Sequence, residues 1–163
     1  MAGICTLRAA IQEANAFAGA DVIQIPAGTY TISIAGAGEE NAATGDLDIR
    51  DDLTLEGASA GTTIIDGGAL DRVLHVQPMN VATLAVTVRD VTLRNGAVTN
   101  IYGAGILHAD EGSLLVEDAT VTDNHVSGVT VDTIGGGIAA NGTGSLTIRR
   151  TSLTSNSAYR GAQ

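Results

Sequence analysis

Six acidic side chains fall within fourteen positions of one segment: Glu39, Glu40, Asp46, Asp48, Asp51 and Asp52, offset only by Arg50. Carboxylate oxygens are the ligands of hard dications, and Ca²⁺ takes roughly six to eight of them. Glu39, Glu40, Asp46 and Asp48 are therefore the candidate metal ligands, and Ca²⁺ the candidate cofactor. The segment lacks the Asp-x-Asp-x-Asp-Gly spacing of a dedicated Ca²⁺ loop.

A second chemistry, acid–base work on a polysaccharide, needs carboxylates close to a cationic group. Two sets offer this: Asp66, Asp71 and Arg72, and Asp90, Asp118 and Asp123 with Arg94, Arg149 and Arg150. Asp118 and Arg150 are the catalytic candidates, because a repeat stacked in register makes them neighbours. The competing reading is a cross-strand ion pair on a solvated face. His75 and His108 share a position when Val73-Leu74-His75 is aligned with Ile106-Leu107-His108, and Ala140 falls where a third would stand. Two stacked histidines can bind a metal, but no third ligand is evident, and a corner pair is the preferred reading. His125 lies in a variable loop. Cys5 is the only cysteine, so no internal disulfide forms.

These residues must be carried by a particular scaffold. Of 163 residues, 44% are hydrophobic but only 2% aromatic, with 21 Gly and 2 Pro. Small and β-branched residues suit many short strands joined by tight turns. The net charge is −10, and all eight basic residues are Arg. Such a surface repels phosphate backbones and excludes nucleic acid as a partner class. No stretch is apolar enough to span a bilayer. Residues 1–5 carry no signal-peptide features.

Leu7, Ala10, Ile11, Ala14 and Phe17 share one face at helical spacing, which predicts an amphipathic helix over 6–18 with Thr6 as N-cap. Strand signals follow: 22–25, 30–34, Leu47–Ile49, Leu53–Leu55, Thr63–Ile65, Val73–Val76, Leu84–Val88 and Val91–Leu93. Residues 35–46 read as a small-residue, acidic loop.

Internal repetition is the decisive signal. Gly103-Ala104-Gly105-Ile106 returns as Gly135-Gly136-Gly137-Ile138, and Thr120-Val121-Thr122-Asp123-Asn124 returns as Ser152-Leu153-Thr154-Ser155-Asn156, both at a shift of 32. Thr92-Leu93-Arg94-Asn95-Gly96 precedes the latter by 28, and the Val73 and Ile106 runs stand 33 apart. The extra length lies between Asn124 and Gly135, so insertions collect at one corner, the place to look first for function. A period near 30 with no second helix predicts an all-β, right-handed parallel β-helix of about three short strands per coil. The helix caps one end, and residues 21–158 form the coils of a single domain, 1–163. The other end stops mid-repeat, which predicts a truncated solenoid or one that self-associates. Asn95, Asn124 and Asn156 fall at or beside one turn and predict a stacked asparagine turn. Thr92, Thr120, Thr122 and Thr154 lie on one outward ladder that Arg94 and Ser152 interrupt.

Cys5-Thr6-Leu7-Arg8-Ala9-Ala10-Ile11-Gln12-Glu13-Ala14-Asn15 resembles the N-terminal motif of the CSLREA family of bacterial β-helix repeat proteins. The likeness continues through Pro26-Ala27-Gly28-Thr29-Tyr30, Thr44-Gly45-Asp46-Leu47-Asp48-Ile49, Ile65-Asp66-Gly67-Gly68 and the Gly-rich repeats. Thr6 and Ala9 stand where that family usually has Ser and Glu. The resemblance implies an extracellular or cell-surface β-helix, related in shape to pectate lyases and autotransporter passengers. It implies no catalytic residues, because that family has no common activity, and fold alone does not settle function.

The first functional expectation is a non-catalytic structural or adhesive module that contacts glycan or cell-surface components. The second is a carbohydrate-active enzyme, a lyase or epimerase on acidic polysaccharide, against which stands the scarcity of aromatics to stack on sugars. The third is a building block that associates end to end with its own copies.

Overall fold

The computed structural model describes residues 5–78, 83–109, 111–129 and 134–160. After helix α1 (Leu7–Ala16), the first coil contains β1 (Asp21–Ile25), β2 (Gly28–Thr31) and β3 (Leu47–Ile49). The second repeats the pattern with β4 (Leu53–Gly57), β5 (Thr63–Asp66) and β6 (Leu74–Val76). In the third a further strand joins: β7 (Ala85–Arg89), β8 (Thr92–Arg94), β9 (Ala97–Thr99) and β10 (Ile106–His108). The fourth matches it with β11 (Ser113–Glu117), β12 (Thr120–Thr122), β13 (His125–Gly128) and β14 (Ile138–Ala140). β15 (Ser145–Arg149), β16 (Ser152–Thr154) and β17 (Ser157–Arg160) begin a fifth.

Among the described residues every strand pairing is parallel, and each strand pairs with its counterpart one coil away, giving sheets ordered β1-β4-β7-β11-β15, β16-β12-β8-β5-β2, β14-β10-β6-β3 and β17-β13-β9. The chain is therefore a parallel β-helix of all-β class, with three strands per coil at first and four once β9 appears. The helix is shorter than the predicted span. Thr6 caps it, its Oγ1 accepting from the Ala9 N–H at 3.1 Å. Leu7, Ile11 and Ala14 bury one face against the first coil. Among the described residues no helix is long and apolar enough to cross a membrane.

The core is a set of apolar ladders. Leu55, Val88 and Val116 stand in register and are fully buried, as are Ile65, Leu93 and Val121. Each such side chain contributes about 1.5–3 kcal/mol on burial. The next rungs, Ile148 and Leu153, are 39% and 48% exposed because no described coil lies above them.

Corners are made by left-handed residues at matching positions. Asp90, Asp118 and Arg150 have φ of 58°, 49° and 47°, and Asn95, Asp123 and Ser155 have 56°, 55° and 54°. Asp and Asn tolerate this geometry best; Arg150 and Ser155 adopt it because the coil beneath sets the path. The asparagine turn exists in altered form. Asn124 is buried and its Nδ2 donates to Asn156 Oδ1 at 3.0 Å, while Gly96, not Asn95, takes the equivalent position and donates its N–H to Asn124 Oδ1.

One expectation is corrected. In the β6–β10 ladder Leu107 faces His75 and His108 faces Val76. The repeat distance there is 32, not 33, and a one-residue slip moves a side chain to the other face of a strand. His75 and His108 are therefore not stacked. Ala140 does follow His108. The Asn124–Gly135 corner includes residues 130–133, which lie outside the described residues, as do residues 161–163.

Candidate functional site

Helix α1 does more than cover the end of the core. Arg8, Gln12 and Asn15 recur at i, i+4 and i+7 and hold a second, polar face. Arg8 Nη1 donates to the carbonyls of Ala42 and Asp46 at 2.8 and 2.9 Å, and Gln12 Nε2 to Ala42 at 2.9 Å. Asn15 Nδ2 donates to the Asp48 carbonyl at 2.8 Å and its Oδ1 accepts from the Arg50 N–H at 2.9 Å. These bonds pin the loop of residues 35–46 and the start of the following strand. Burial lowers the Arg8 pKa, while Glu39, Asp46 and Asp48 oppose that shift.

The loop is also tied within itself. Glu39 accepts from the backbone N–H groups of Asn41 at 3.1 Å, Thr44 at 2.9 Å and Ala43. Burial acts against its charge, but these donors and Arg8 hold the carboxyl below its ordinary range. Gly45 has φ of 59°, and a Cβ there would lie 2.7 Å from Asp71 Oδ2 and closer still to the Gly36 carbonyl. Only glycine lets the loop cross at that point.

Under this loop lies a polar cluster on the outer face of β3 and β6 and the turn before β6. Asp48 pairs with His75 in the ladder and is 0% exposed; Asp46, Asp71, Arg72 and His75 are also buried. Asp48 Oδ2 accepts from the Ala42 N–H at 2.7 Å. No hydrogen bond reaches Asp48 Oδ1, which faces His75 Nδ1 at 3.4 Å. His75 Nδ1 lies 3.2 Å from Glu40 Oε2, on a half-exposed side chain that also accepts from Gln77 Nε2. Arg72 Nε stands 3.3 Å from Asp46 Oδ2, and Asp71 Oδ1 accepts from the Arg72 N–H at 2.8 Å.

One guanidinium thus serves several carboxylates in a place screened from water. Burial, then the charges of Asp48 and Asp71, push the Asp46 carboxyl up to about 8 despite Arg72. Burial likewise raises Asp71. The cluster opens into a groove of about 330 Å³, whose wall includes Glu40, Asp46, Arg72, His75, Tyr102 and Asn141.

The other candidates sit in a different environment. Arg150 Nε donates to Asp118 Oδ1 at 2.7 Å and its Nη2 to Asp118 Oδ2 at 2.8 Å, with Glu117 also within reach. Arg149 Nη2 lies 2.9 Å from Glu117, and Arg89 pairs with Glu56 at 3.0 Å. Glu56, Arg89, Glu117 and Arg149 follow one another in register along one sheet, so the charge alternates from coil to coil. The hydrogen bond from Arg150 lowers Asp118, and Asp118 in turn raises Arg150. Asp66 is similarly engaged, by Arg94 at 2.7 Å, Asn95 at 3.0 Å and the Gly68 N–H at 3.0 Å. Asp123 Oδ2 accepts from Thr122 Oγ1 at 2.9 Å, and His125 Nδ1 lies 2.7 Å from Ser157 Oγ.

The structure therefore splits the expected acidic set. Glu40 and Asp48 meet His75, Asp46 meets Arg72, and Glu39 is spent on its own loop. Asp71 and Arg72 join this cluster, while Asp66 lies apart with Arg94. His75 was the residue that sequence reasoning placed elsewhere. The 32-residue period aligns it with Leu107, whereas its partner one coil earlier, Asp48, stands only 27 residues away, so that period does not lead to it.

Comparison with family models, with curated proteins and with solved structures gives no match for this chain.

Proposed function

We propose that this chain is an extracellular or cell-surface β-helix module with a structural or adhesive role, and that its flank groove binds glycan without transforming it. The observation that carries the reading is the groove itself. It joins a rigid parallel sheet to planar polar side chains, Arg72, His75 and Asn141, and to one aromatic ring, Tyr102. Such a wall offers hydrogen bonds to sugar hydroxyls and a ring face to stack on. Placement outside the cell is supported by the resemblance of the Cys5–Asn15 run. A glycan array probed with the wild-type chain and with Tyr102→Ala tests the reading. Binding that Tyr102→Ala abolishes is the expected result. No binding to any glycan removes it, and released saccharide products would replace it with a carbohydrate-active enzyme.

A second reading, end-to-end association of copies, is favoured by the last coil, where Ile148, Leu153 and Tyr159 are exposed beside strands β15, β16 and β17, whose outer edges have no partner among the described residues. Open strand edges beside apolar side chains pair readily. Size measured against concentration tests this, and a strictly monomeric chain eliminates it.

A further inference from the structure

We propose that Glu40, Asp48 and His75 form a binding site for a first-row transition-metal dication of the Zn²⁺ class. One ligand atom from each residue lies within 4.8 Å of the other two, and His75 Nδ1 faces both Glu40 Oε2 and Asp48 Oδ1. Two of the edges measure 3.2 and 3.4 Å. Ligands about 2.0–2.2 Å from a tetrahedral Zn²⁺ stand roughly 3.3–3.6 Å apart, which the two edges at His75 match closely.

The carboxylates alone would not carry this site. The independent observation is Asp48 Oδ1, an acceptor on a side chain with 0% exposure, which no hydrogen bond reaches and which faces the space between His75 and Glu40. A buried acceptor left without a donor is costly, and a metal ion satisfies it. The companion oxygen is held by the Ala42 N–H at 2.7 Å, so the carboxylate is already oriented. Charge points the same way. Glu40, Asp46, Asp48 and Asp71 outnumber the guanidiniums near them, Arg72 beside Asp46 and Arg8 against the Asp46 carbonyl. A dication supplies the positive charge that the cluster lacks.

The donor set selects the metal. Ca²⁺ takes oxygen ligands only, whereas an imidazole nitrogen with two carboxylates suits the borderline ions. Three protein ligands leave one tetrahedral position, and the half-exposed Glu40 places that position towards the groove. The site shares its groove with the glycan-binding reading but is read without any glycan, so either can fail while the other stands.

The test is a titration of the chelator-stripped full chain with Co²⁺, followed by Zn²⁺, with Ca²⁺ in parallel. The expected result is a saturable one-to-one visible absorption from nitrogen-ligated Co²⁺, displaced by Zn²⁺, and a higher melting temperature with either ion. His75→Gln and Glu40→Gln should each weaken binding by more than about 100-fold, beyond what loss of a supporting outer-shell group costs. His125→Gln should bind as wild type. Should His75→Gln fail to fold, Glu40→Gln decides the matter, because that side chain is half-exposed. Absence of saturable binding overturns the proposal, as does unchanged binding in Glu40→Gln. Stabilisation by Ca²⁺ but not by Zn²⁺ or Co²⁺ also overturns it.

Discussion

The cluster around Asp46 and Arg72 and the cluster around Asp118 and Arg150 both set carboxylates against arginine. One lies beneath the 35–46 loop, and the other stands on an open coil corner. At the corner Arg150 holds Asp118 in bidentate geometry, Glu117 meets Arg149 and Arg150, water screens what is left over, and Asp118 is held below its ordinary range. Beneath the loop the acids outnumber the cation, water is excluded, and Asp46 is driven up to about 8. Burial and charge balance, not the kind of residue, separate a pair that locks a surface from a cluster that still has binding capacity.

That contrast can be broken in order of expected effect. Arg72→Ala should cost about 3–5 kcal/mol in chemical denaturation, because it strands buried carboxylates; a loss near zero would make the two clusters equivalent. Next is pH, in metal-free protein. Folded Asp46 keeps its proton to about pH 8, whereas the unfolded chain loses it near 3.8. The folded state binds more protons between those values, so stability falls as pH rises from about 4 to about 8 and levels off above. Each unit is worth up to about 1.4 kcal/mol, and Asp46→Asn should flatten the profile. A wild-type profile already flat over this range would show that Asp46 is ionised throughout.

Arg8→Ala comes third. It frees the Ala42 and Asp46 carbonyls and should cost about 1–2 kcal/mol in denaturation. It should also loosen the loop, read as faster amide exchange at Ala42, whose N–H holds Asp48. Unchanged exchange would detach the helix from the site. Smallest of all is Arg150→Ala, on a pair whose side chains are 60% and 41% exposed. Its melting temperature should match wild type within error in high salt, and a salt-independent loss would give this corner a weight that exposure does not predict.

The exposed cluster was legible in the sequence, and the buried one was only half so. Asp118 and Arg150 occupy matching positions in two repeats that align at a shift of 32 residues, so counting along the chain brings them together. The buried cluster joins a non-repeating loop to a strand, and no period relates Glu40 to His75. The acid-rich segment stands out by composition, but the Val73 and Ile106 runs align best at 33, one residue off the true register, which hides His75 from it. The coils themselves were readable because apolar alternation and period coincide. The fourth strand was not, because Ala97–Thr99 is short and Val98 is its one large apolar residue, too little for an alternation to show.

The alternating ladder of Glu56, Arg89, Glu117 and Arg149 also constrains how such a chain can grow. Duplicating or deleting one coil within it sets two like charges side by side across a parallel sheet, a pairing that is disfavoured. Copying two coils together preserves the alternation. On this face, gene-level expansion by even numbers of coils meets no electrostatic penalty, whereas expansion by odd numbers requires a compensating change of sign.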